Sequence, residues 1–164
     1  MYRFGIFLLP LLLCGCLTSK GKFMPVENAS TPLAAGMYYR IEPNDPLPAL
    51  AGPFRLSVKG KEYTFSGGRD VLKFQLIRLV EGKDIYVAQI APDAKSDKFA
   101  ILFGPLTKDG FCDYSEPGNG YPGLGAGGEI VAPDELRQWL VSHVDEIVKK
   151  TKGVCWVRMA RDSQ

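Results

Sequence analysis

The chain is expected to fold as an α+β, mainly β domain. An antiparallel meander forms a curled sheet or partly closed barrel, followed by one C-terminal amphipathic helix and a final strand. Three observations predict this. Short runs of alternating apolar and polar residues recur between residues 37 and 114. Turn-forming clusters interrupt them about every 8–12 residues, the spacing of an all-β meander. At Pro133 the apolar period changes from two to that of a helix.

The strand runs are residues 37–41, 54–58, 62–65, 72–80, 85–91, 99–103 and 110–114. Phe54, Leu56 and Val58 alternate with Arg55 and Ser57; Leu72, Phe74 and Leu76 alternate with Lys73 and Gln75. Such alternation marks strands with one wet face. The connectors carry turn chemistry, as in Lys59-Gly60-Lys61, Glu81-Gly82-Lys83-Asp84 and Lys108-Asp109-Gly110. Asn44-Asp45-Pro46-Leu47-Pro48 reads as a loop, because proline cannot donate to a ladder. The helix opens at Pro133 with Asp134 and Glu135 in its first turn, where the missing N–H costs nothing and the dipole favours acids. Leu136, Leu140, Val144 and Ile147 form its apolar stripe, Lys149, Lys150 and Lys152 suit its end, and Gly153 stops it. The stripe needs a partner, and the open face or mouth of the sheet is the expected one. Residues 154–159 read as the last strand.

The N-terminus gives an address. Met1-Tyr2-Arg3 carries one positive charge, and residues 4–13 form an apolar run of ten. That suits a secretory h-region and is short of the roughly 20 residues a spanning helix needs. Leu13-Cys14-Gly15-Cys16 resembles the lipobox of bacterial lipoproteins. The resemblance implies that residues 1–15 are a signal peptide and that Cys16 becomes the lipidated first residue of the mature chain. It also implies attachment to the membrane through Cys16 and, with Leu17 rather than Asp next, an outer-membrane address facing the periplasm. Residues 16–35, polar and small with Pro25 and Pro32, read as lipid anchor and flexible tether, with a single globular domain at 36–164. The nineteen residues after Cys16, 17–35, reach at most about 60 Å.

Composition bounds the function. Loss of Arg3 with the signal leaves 19 basic against 18 acidic residues, a mature net charge of +1. The interspersed charges form no basic stripe for nucleic acid. Setting aside Cys14 and Cys16 leaves Cys112 and Cys155, which an oxidising compartment would pair. That bond closes a loop of about 44 residues, worth on the order of 4 kcal/mol by chain entropy. A buried reduced pair and a metal site are the alternatives; the second lacks C-x-x-C spacing and neighbouring histidines.

The remaining candidates are sparse. His143, the only histidine, lies beside Trp139 near the helix stripe. Packing is its ordinary role, and a pocket lined by His143 and Trp139 is the functional one. No G-x-S-x-G accompanies it, so no catalytic residue is assigned. Residues 118–128 are Gly-rich, and Gly123, Gly125 and Gly128 match G-x-G-x-x-G in form. The motif needs a strand before it and a helix immediately after, whereas Pro117 and Pro122 precede it and four residues intervene before Pro133. A surface loop with Asn119, Tyr121 and Leu124 as contact residues is the reading kept. Asp109, Asp113 and Glu116 lack the spacing of a calcium loop and read as turn charges. No cofactor or metal is expected. Gly36-Met37-Tyr38-Tyr39 resembles the Gly-x-Trp-Tyr opening strand of lipocalins, with Tyr38 in the tryptophan's place. That resemblance implies a carrier of a small apolar ligand inside a barrel. The other readings are a non-enzymatic binding or assembly module with an envelope protein partner, which leads, and an envelope hydrolase.

Overall fold

The computed structural model describes residues 17–42, 51–67, 70–92, 97–115, 120–150 and 153–159. The expectations for residues 1–15, Cys16, the 44–48 loop, Glu116 and Asn119 lie outside these. The strands are β1 (Leu17–Ser19), β2 (Ala29–Ser30), β3 (Gly36–Ile41), β4 (Ala51–Lys59), β5 (Glu62–Gly67), β6 (Asp70–Arg78), β7 (Ile85–Ile90), β8 (Phe99–Thr107), β9 (Gly110–Asp113) and β10 (Val154–Arg158). Among the described residues one long helix, α1, spans Pro133–Lys150.

Strands β3 to β10 pair antiparallel in sequence order, and β10 returns to β3, closing an eight-stranded up-and-down barrel. Closure removes the edges that an open sheet would expose. The first strand pairs with the last through Tyr39↔Val157 and Arg40↔Trp156. The short β9 bridges β8 and β10, and two glycines allow that approach. A Cβ on Gly104 would lie 2.0 Å from the Cys112 carbonyl oxygen, and one on Gly110 would lie 1.8 Å from that of Trp156. Cys112 and Cys155 sit directly opposite each other in the β9–β10 ladder and form a disulfide.

The barrel has two apolar layers. One is its interior, with Tyr38, Leu56, Tyr63, Leu76, Tyr86, Ala88, Leu102 and Phe111. The other lies outside the β7–β8 wall, where Val87, Ile101 and Phe103 meet Leu136, Leu140, Val144 and Ile147 of α1. The helix stripe is therefore buried as predicted, but against the outer wall rather than the mouth. The barrel's own side chains occupy the interior, so the vacant apolar surface was the outer one. Each stripe residue contributes about 1.5–3 kcal/mol of gross burial energy.

Residues 17–35 do not behave as the flexible tether read from the sequence. β1 extends the sheet beside β8, with Leu17↔Ile101, and the Thr18 carbonyl accepts from Ile130 N–H at 2.7 Å on its other edge. The chain then crosses the β7 wall. There the buried Gln89 accepts from Met24 N–H at 2.6 Å and donates to Met24 O at 3.0 Å. β2 pairs with β6, and residues 31–35 pass to the start of β3. Leu17, Phe23 and Ala29 are buried, which offsets the ordering of a polar, proline-containing segment.

Candidate functional site

One end of the barrel is floored. At the end where β3 begins, Tyr63 OH accepts from Leu33 N–H at 2.8 Å and donates to Leu33 O at 3.2 Å. Tyr38 OH donates to Ala34 O at 2.8 Å. Tyr86 OH accepts from Arg78 Nη2 at 2.9 Å. Three inward-facing tyrosines thus turn their hydroxyls into partners near the floor and present ring carbon to the interior. Burial outweighs the Leu33 hydrogen bond and pushes the Tyr63 phenol up to about 12. Burial likewise raises that of Tyr38, against the lowering effect of Arg158.

Above this floor lies an apolar cavity of about 70 Å³. Every barrel strand lines it: Tyr38 from β3, Phe54 and Leu56 from β4, Phe65 and Gly67 from β5, Leu72 and Phe74 from β6, Ala88 and Ile90 from β7, Leu102 from β8, Phe111 from β9 and Trp156 from β10. Leu33 completes it. Phe54 stacks on Phe65 at 5.0 Å and Phe74 on Tyr63 at 5.1 Å. Phe54, Phe65, Leu72 and Phe74 stay half-buried. An aromatic wall left partly wet inside a closed barrel is costly apolar exposure. The enclosed volume is below the roughly 300–1,000 Å³ of a site for a drug-sized molecule. It suits the end of an aliphatic chain or one small ring, with the half-buried aromatics as a runway. Among the described residues no charged side chain lines the cavity. Arg40 lies two residues beyond Tyr38 on β3, past an irregularity in the β3–β4 register, and faces the same side as its ladder partner Trp156. Its Nη1 meets Glu42 at 3.0 Å, while its buried Nε has no hydrogen-bond partner among the described residues.

The residues singled out from the sequence lie elsewhere. Trp139 and His143 stack at 4.4 Å on α1, outside the barrel, and neither lines the cavity. His143 Nδ1 lies 2.9 Å from Trp139 O, which places a proton on Nδ1 and makes the ring a packing element of its own helix. Tyr121 is no contact residue either: it is buried between Phe103 and Trp139, and its hydroxyl donates to Tyr114 O at 3.2 Å. Leu124 is half-buried against the same outer core and bridges to Ile130. The described part of the Gly-rich segment is a pinned turn, with Gly123 O accepting from Val131 and Ala132 N–H at 2.9 and 3.1 Å. Gly123 has φ 76°, and a Cβ there would lie 2.5 Å from Ala132 O, so glycine is required for packing rather than for phosphate binding. Asp113 Oδ1 accepts from Ser115 N–H at 2.8 Å, closing a turn.

A ligand-holding barrel was among the readings of the sequence, but the residues that line the cavity were not singled out there. Their signal was present in the aromatics at alternate strand positions, which a filled core would equally display. Among the described residues no group of three His, Cys, Asp or Glu is placed to hold a metal, and no helix is long and apolar enough to cross a membrane. No protein-family model, curated protein or solved structure matches the chain.

Proposed function

We propose that this chain is a lipid-anchored binding protein of the bacterial cell envelope, attached through Cys16, whose barrel takes the apolar end of a small amphiphile. The observation that carries the binding reading is the cavity: it is lined from all eight strands by carbon, with its tyrosine hydroxyls engaged at the floor. Such a site recognises shape and hydrophobicity, and among the described residues its lining holds no nucleophile or acid–base pair for hydrolysis. Arg40, paired with Glu42 through Nη1 and with its buried Nε unpartnered among the described residues, stands at the end remote from the floor, where an acidic head group would compete with Glu42 for its guanidinium. The lipobox-like Leu13-Cys14-Gly15-Cys16 supports the anchor and the outer-membrane address.

Displacement of a polarity-sensitive fluorophore by fatty acids of increasing length tests the binding reading, with the matching alcohols alongside. Saturable displacement, stronger for acids than alcohols and lost in Ala88→Leu, is the expected result. Ala88 is buried on the cavity wall, so the added methyl groups fill the space. Equal fluorescence in the wild type and Ala88→Leu overturns the reading.

A further inference from the structure

We infer that the bilayer lies directly against one side of this barrel, so that the seam carrying β1, beside β8 and β9, faces the membrane and the β4–β5 wall faces away. The inference rests on the lipidation of Cys16 proposed above and goes beyond it, because an anchor alone says nothing of distance or orientation. Leu17, the next residue, is 0% exposed. It is paired to Ile101, and β1 is hydrogen-bonded along both edges, to β8 and to Ile130. Its side chain packs in the outer core with Phe103, Tyr121, Leu136 and Leu140. Adjacent Cα atoms are about 3.8 Å apart. An acylated residue 16 is therefore held one residue from the fixed wall, with no slack between lipid and fold.

The charges around this anchor point fit a phospholipid surface. Lys20 and Lys22, both exposed, follow β1 within a few residues. Lys20 and Lys98 meet the carboxylate of Glu129 at 3.9 and 3.2 Å, and with the exposed Lys22 and Asp97 the collar holds three lysines against two acids. Anionic head groups attract such a collar within a Debye length. In the ring of eight strands β4 stands opposite β8, so the exposed Arg55, Ser57 and Lys59 on the outer face of β4 point away from the bilayer.

The test uses the full-length protein made in a double-membraned bacterium, purified and reconstituted into vesicles of phosphatidylethanolamine and phosphatidylglycerol. A fluorophore is placed at Lys20→Cys or at Ser57→Cys, and quenching by a nitroxide on the lipid head groups is measured. Quenching several-fold stronger at position 20 than at position 57 is the expected result. A flexible Gly-Ser linker of twelve residues inserted between Cys16 and Leu17, with a mean reach of about 20 Å, should erase most of that difference. An intact mass of the purified protein without acyl chains on residue 16 would show that the anchor reading itself fails, and the inference with it. Vesicle binding that depends on Cys16, but with equal quenching at the two positions, would keep the anchor and overturn the apposition.

Discussion

Replacing Gln89 with methionine asks whether residues 17–30 belong to the folded domain. Gln89 is 2% exposed on the outer face of β7, and its amide satisfies both the N–H and the carbonyl of Met24. Methionine has nearly the same length and volume, so packing is conserved and the change isolates the two hydrogen bonds. Each backbone group left buried without a partner costs about 1–3 kcal/mol. The expected loss is therefore about 2–5 kcal/mol, limited by release of the segment into water. For a domain of this size each kcal/mol moves Tm by about 2–4 °C, so a fall of roughly 5–15 °C is expected. Circular dichroism melting reads that fall, and hydrogen exchange locates it. Amides of residues 17–30 should lose protection while those of β7 and β8 retain theirs. A melting point within about 2 °C of wild type, with unchanged exchange in residues 17–30, would refute the claim that this contact holds the segment.

Further perturbations probe the floor and the seam. Tyr63→Phe removes the hydroxyl that grips Leu33 and should cost about 1–2 kcal/mol in urea unfolding. The Tyr63 pKa lies higher in the folded state than the ordinary 10.0, so its contribution is fully present below pH 10 and is lost as pH rises toward about 12. That decline in stability should be shallower in Tyr63→Phe. The double change Cys112→Ala with Cys155→Ala should lower stability by roughly 2–4 kcal/mol. Reductant should move the wild-type melting point and leave that of the double variant alone. Gly110→Ala puts a methyl group onto the Trp156 carbonyl and should destabilise by about 1–3 kcal/mol or prevent closure at β9, read as loss of the folded baseline or a lower urea midpoint.

The strands were most legible where one face is wet. On β4 and β6, Arg55, Ser57 and Lys73 alternate with Phe54, Leu56, Leu72 and Phe74, and the structure places the two sets on opposite faces. On β7 every residue from Ile85 to Ile90 is buried, because α1 and residues 23–24 cover its outer side; alternation there is lost. The helix was legible from its caps and stripe, but a stripe does not say which wall receives it. Leu17, Phe23 and Ala29 stand six residues apart with mostly polar and turn-forming residues between them, which makes neither a strand run nor a helix stripe, and their partners lie on β6, β7 and β8, far away in sequence. A local pattern cannot register such contacts, so residues 17–35 read as a tether. The same limit moved attention to Trp139, His143 and Tyr121, which complete the outer core, and away from the cavity. The Cys112–Cys155 pair was legible because setting aside Cys14 and Cys16 leaves two cysteines and one pairing.

The account stands most directly on whether the barrel holds a guest. Native mass spectrometry of the protein purified in mild detergent, wild type beside Ala88→Leu, measures this. The account predicts a small-molecule adduct on the wild type that leaves on denaturation and is missing from Ala88→Leu. A clean apo mass for both, with the fluorophore also failing to bind, would contradict it and make the barrel a filled scaffold for a protein partner.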